Sequence, residues 1–241
     1  AQGLGRWSEL LAEVRNAQGI AQADDIDEAA GAELARQLDA LAARGERELA
    51  QRELDQRNQA LFARLEEVRQ PEGDPHEEHY PVLWDDVAAA HRQVMAADGL
   101  DVLTGAEQAA ANNLAARGRP AKLATVLDTW ARACLQAGQR EHGQRLVRLA
   151  KVLDGDAQRN QLRSSILAEQ PDQLLAFATE QPLESLAPAT LELLGGALLR
   201  TGQMHAALNV YQRGQARHPG DFVLTAGLAR ALIAQQPAQH Q

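Results

Sequence analysis

The sequence predicts an all-α chain built of helical hairpins, with a tetratricopeptide-like α-solenoid in its C-terminal half. Three observations lead there. Ala, Leu, Gln, Arg and Glu dominate, while aromatic residues make up only 3%, a composition that favours helix and starves a sheet. Apolar residues recur at spacings of three and four along most of the chain. From Pro120 onward these helical segments fall into pairs separated by glycine.

Residues 5–17 (GRWSELLAEVRNA) place Trp7, Leu10, Leu11 and Val14 on one helical face, a stripe that needs a partner to cover it. The natural partner would precede it, so the chain reads as a piece of a longer protein that starts just before the second helix of a pair. Asp24 or Asp25 is expected to cap the next helix, whose stripe is Ile26, Ala30, Leu34, Leu38 and Leu41. Gly45 after Arg44 reads as a C-terminal stop. A longer helix comes next over 46–69, with Leu54, Asn58, Leu61, Leu65 and Val68 along one seam. Residues 1–69 are therefore expected to be acidic N-terminal helices that include an antiparallel hairpin turning at Gly45.

Residues 70–81 (QPEGDPHEEHYP) hold three prolines and a glycine and read as a linker. Residues 82–236 are then expected to form one helical repeat domain with a capping helix, and 237–241 a disordered tail. Its first helix spans 82–98, with Leu83, Val87, Ala90, Val94 and Met95 as its apolar set. A second spans 104–117, where Thr104 and Glu107 have the spacing of a capping box and Gly118 ends the helix.

The repeat template itself has a 34-residue period with small and large residues at set offsets. It fits best from Ala189. Leu191, Leu194, Gly195 and Leu198 fill the first helix, Gly202 the turn, Ala207 and Tyr211 the second helix, and Pro219 the close. Gly214 stands where alanine is usual. An earlier pair places Leu127, Trp130, Ala131 and Cys134 on one helix, Gly138 at the turn, and Gly143, Val147 and Ala150 on the other. Between them lies a shorter, degenerate pair marked by Leu162 and Ile166, then Leu174, Phe177 and Ala178. A final helix over 220–235, with Leu224, Leu228 and Leu232, is expected to cap the array.

Charge narrows the functions. The net charge is −9, and residues 1–80 carry 18 acids against 9 arginines, whereas 81–241 carry 15 of each sign. All the excess negative charge lies in the first third, and the rest has no basic stripe with interleaved aromatics, so nucleic acid is not an expected partner. No apolar run is long enough to span a membrane. The single cysteine excludes an internal disulfide and fits a reducing compartment.

Candidate chemistry is sparse. His76, Glu77, Glu78 and His79 form HEEH, but the histidines are three apart in a proline-bounded stretch rather than four apart on a helix, as a zinc-protease motif requires. A solvated linker is the expectation; a helical metal-dependent hydrolase rests on this motif alone. Asp85 and Asp86 suit the positive end of a helix dipole. Cys134 is expected to be a buried, inert thiol. Trp7 and Trp130 are expected to be core anchors, and Trp84 to lie at a domain junction. No catalytic residue, metal ligand or cofactor is expected. Counting along the template puts Glu192, Gly196, Leu199 and Arg200, then Ala226 and Arg230, on the concave face lined by first helices. Of these, Glu192, Arg200 and Arg230 are the candidate partner-binding residues: the arginines could pair with an acidic peptide.

The strings RLEEVR (64–69), LDTWAR (127–132), LAPATLELLGGALLRTGQ (186–203) and YQRGQARHPGDFVL (211–224) resemble the tetratricopeptide-repeat region C-terminal to the kinase domain in large bacterial serine/threonine protein kinases of the planctomycete type. GRW at 5–7 is similar to the repeat that precedes this region. The resemblance runs from about residue 5 to 235, and Val223 stands where the family usually has an aromatic residue. It implies an upstream kinase domain, a cytoplasmic location and an accessory role: recruitment of a protein partner or substrate, or, alternatively, a regulatory or spacing arm acting on the kinase itself. No Gly-rich phosphate loop, catalytic loop or metal-binding DFG is present, so the activity of the family is not expected of this chain.

Overall fold

The computed structural model describes residues 2–21, 28–69 and 83–235, and the side chains of 9–19, 32–68 and 83–235. The 70–81 linker with its HEEH motif, the Asp24 or Asp25 cap, the 237–241 tail and the side chains of Trp7, Ile26 and Ala30 lie outside the described residues. Those described form eleven α-helices and a short 3-10 turn, with no strand among them. The chain divides into two compact units, Ala1–Ala63 and Arg64–Gln241.

The first unit holds α1 (Gln2–Ala21) and most of α2 (Glu28–Arg69). Here the expected turn at Gly45 is overturned: α2 is one helix of 42 residues with Gly45 in its interior. A mid-helix glycine costs about 1 kcal/mol relative to alanine, and the reason it is tolerated lies on α1. Leu11 packs directly onto Gly45, so close that an added Cβ would lie 2.8 Å from its Cδ2. Gln18 donates to Asp39 at 2.6 Å and Arg15 pairs with Glu46 at 3.2 Å, so α1 and α2 run antiparallel. The hairpin exists, but one helix earlier than the sequence suggests. Leu34 and Leu41, expected on an apolar stripe, are exposed, while Leu11, Val14, Asn58 and Leu61 are buried as expected and Phe62 is buried in addition.

The second unit continues from the end of α2 through α3 (Trp84–Ala97), α4 (Glu107–Ala115), α5 (Pro120–Gln136), α6 (Arg140–Leu153), α7 (Ala157–Leu167), α8 (Pro171–Glu180), a 3-10 turn (Leu183–Ser185), α9 (Pro188–Arg200), α10 (Met204–Arg217) and α11 (Phe222–Gln235). Prolines at the first position of α5, α8 and α9 start those helices without sacrificing a hydrogen bond. Gly138 and Gly202, both at φ 75°, turn α5 into α6 and α9 into α10, a conformation L side chains resist. Each helix packs against the next from α5 to α11, while α3 lies on α5 and α4 on α6.

Two expected details change. The buried face of α11 is Leu224, Gly227 and Ala231, and Leu232 is 46% exposed. Thr104 caps nothing: its hydroxyl donates to Asp101, whose carboxylate also accepts the backbone N–H groups of Leu103 and Thr104. The helix starts later, at Glu107, which pairs with Arg148 on α6 instead.

The degenerate pair leaves part of α5 open. With 11 and 10 residues, α7 and α8 are shorter than α5 and α6 at 17 and 14. A helix this short cannot cover all of α5, and α9 reaches past α7 to touch α5 directly.

Candidate functional site

Where α5 meets α9, small residues let the backbones approach. Gly196 faces Arg132, whose Cδ would stand 3.2 Å from a Cβ at that position. Arg132 thereby lies across α9 and its Nη1 engages Glu192 Oε1. Arg230 of α11 reaches the same oxygen at 3.1 Å. The Arg132 guanidinium also sits 5.6 Å above the Trp84 ring of α3, within cation–π range. One polar line thus joins α3, α5, α9 and α11.

Beside this line is a small pocket of about 40 Å³, walled by α5, α9, Val147 of α6 and Ile166 of α7. Its lining is mostly apolar, with Asp128, Arg132, Glu192 and Arg200 as its charged members.

Asp128 belongs to a buried ionic network on the α7 side. Arg163, which is 0% exposed, donates from Nε and Nη2 to Asp128 at 2.9 and 2.6 Å, and from Nη1 to Asp154 at 2.8 Å. Arg159 holds Asp154 at 2.6 and 2.9 Å, and Asp156 caps α7 by accepting from the Arg159 backbone N–H. Burial by itself would raise the Asp154 carboxyl, but hydrogen bonds from Arg159 and Arg163 outweigh it and hold the group at about 2. Among the described residues Asp128 accepts hydrogen bonds from Arg163 alone, and there burial prevails and pushes its carboxyl up.

The three expected partner-binding residues meet different fates. Glu192 lines the pocket but is only 7% exposed and is engaged by two arginines, and Arg230 is one of them. Both are thereby committed within the chain, since a buried charge stripped of its partner is costly. Arg200 lines the pocket half-buried and, among the described residues, has no carboxylate within ion-pair distance. Burial pulls its guanidinium below the ordinary arginine value, with only the field of Glu169 opposing.

The Asp128–Arg163–Asp154 network and the role of Arg132 are not among the expected site residues. A faint signal exists: Arg159 and Arg163 lie four apart behind the Asp154–Asp156 cap, and Arg163 falls three before Ile166, on the inner face of α7. The partner Asp128 is 35 residues away, so the pairing itself is invisible without the fold. Cys134 is fully buried, and burial pushes its thiol up to about 11. Trp130 is buried and stacks on His91, with ring centroids 6.1 Å apart.

Among the described residues, no cluster of His, Cys, Asp and Glu could hold a metal ion, and no helix is long and apolar enough to cross a membrane. Comparison with protein-family models, with curated proteins and with solved structures finds no match.

Proposed function

We propose that this chain is a non-catalytic, tetratricopeptide-like repeat module that binds protein or peptide segments. The observation that carries this reading is the succession of helix pairs from α5 to α11, each packed on the next, with a pocket opening between the first helices α5 and α9. Stacked pairs of this kind build an extended surface on which polypeptide can lie. The packing of small against large residues supports the repeat assignment: Gly195 and Gly227 both face the fully buried Tyr211 ring, and Gly143 faces Leu135.

Within the same proposal, the module is a cytoplasmic accessory region of a serine/threonine protein kinase that recruits a partner or substrate. The support is the resemblance of the strings at 64–69, 127–132, 186–203 and 211–224. A regulatory arm acting on the kinase is the second reading, favoured by the acid excess of residues 1–80, which suits a basic surface.

Crosslinking pull-downs with the full chain as bait test the first reading. Specific capture of a protein that contacts α5 or α9 is the expected result, and an absence of any crosslinked partner counts against it. Comparing kinase activity of the parent with and without residues 1–241 separates the two readings. Altered substrate choice at constant basal rate supports recruitment, and an altered basal rate supports the regulatory arm.

A further inference from the structure

We propose that the α5–α9 pocket receives the side chain of an aspartate or glutamate from a bound peptide, with Arg200 as its counter-charge. The inference rests on the peptide-binding reading above and names what the peptide must carry.

Size comes first. A buried water needs roughly 10–15 Å³ of such space, so about 40 Å³ holds a group of a few heavy atoms. That suits a carboxymethyl or carboxyethyl group.

Charge comes second. Three of the four charged residues lining the pocket are neutralised within the chain: Asp128 by Arg163, and Glu192 by Arg132, with Arg230 added. Arg200 remains. Glu169, whose field acts on Arg200, is held by Arg140 at 2.7 Å. The charge missing from this pocket is therefore negative. The apolar walls, including Leu193, Ala197 and Ile166, suit the methylenes that carry a carboxylate into place, and a low-dielectric wall strengthens the ion pair.

The source named is a peptide because the inference rests on a surface of stacked helices, where a polypeptide can lie and present a side-chain carboxylate to the pocket.

The test uses fluorescently labelled full chain and bead-bound, capped hexapeptides. One library fixes Asp or Glu at a central position, the other fixes Asn or Gln, and the remaining positions are random. The expected result is at least tenfold more protein on the acid library, with the ratio falling toward one for Arg200→Gln. Equal retention on both libraries overturns this inference but leaves peptide binding standing. Retention on neither overturns the peptide-binding reading and this inference with it. An acid preference that survives in Arg200→Gln, with the variant's helical circular dichroism unchanged, overturns the role of Arg200. Elution by submillimolar sodium propionate overturns the peptide source.

Discussion

Arg163 shows how much one residue decides. It is fully buried, and each of its three guanidinium nitrogens faces a carboxylate. Arginine suits this place because its planar fork binds one carboxylate with two nitrogens and still has a third to offer. Removing it strands the buried Asp128 and takes one of two arginines from Asp154. Arg163→Met is expected to destabilise the protein by about 3–5 kcal/mol, a drop in Tm of roughly 6–20 °C for a chain this long. Adding Asp128→Asn to that variant should recover part of the loss, because one stranded charge goes with it. Thermal melts of the three proteins check this, and an additive double mutant would contradict the coupling. The same network makes a pH prediction. The folded value of Asp154, about 2, lies below its ordinary 3.8. Its contribution is therefore fully present above pH 4 and lost as pH falls from about 4 to 2. Compared with Asp154→Asn, the wild-type advantage should be level above pH 5 and shrink by roughly 2 kcal/mol toward pH 2. An advantage that grows on acidification would refute the assignment.

At the scale of helices, Tyr211 of α10 is the piece around which α9 and α11 close. Gly195 on one side and Gly227 on the other leave room for its ring, and a Cβ at Gly195 would stand 2.5 Å from Tyr211 Cζ. Alanine at either position gains helix propensity of about 1 kcal/mol but must displace a buried aromatic ring, an overpacking that costs about 1–3 kcal/mol. Gly227→Ala is therefore expected to lower urea stability despite the better helix former. Tyr211→Phe should do the reverse or nothing. The Tyr211 hydroxyl is buried and, among the described residues, has no hydrogen-bond partner, and deleting such a group removes a desolvation cost. A large loss for Tyr211→Phe would reveal a partner for that oxygen. Gly45 in α2 makes the same point on the other unit. The glycine that reads as a stop is a seat for Leu11, and no local signal separates the two roles.

At the scale of the whole chain, the division after Ala63 predicts that residues 64–241 fold without the first unit. Expressed alone, they should keep a cooperative thermal transition by circular dichroism. A non-cooperative melt would show that the array needs the acidic helices.

The sequence by itself was enough for helix, for the pairing of α5 with α6 and α9 with α10, and for the turns at Gly138 and Gly202, because spacing and turn chemistry are local properties of a few neighbouring residues. It also put Glu192 and Arg200 on one face of a helix, and both line the pocket between α5 and α9. Only the tertiary structure decided that Gly45 is interior, that Glu192 and Arg230 are occupied by one another, and that Arg200 is left with an unanswered charge. Those outcomes depend on Leu11, Arg132 and Arg163 arriving from helices tens of residues away. Long-range packing chooses among partners that local periodicity leaves equal, since burial makes each unpaired charge too costly to leave to chance.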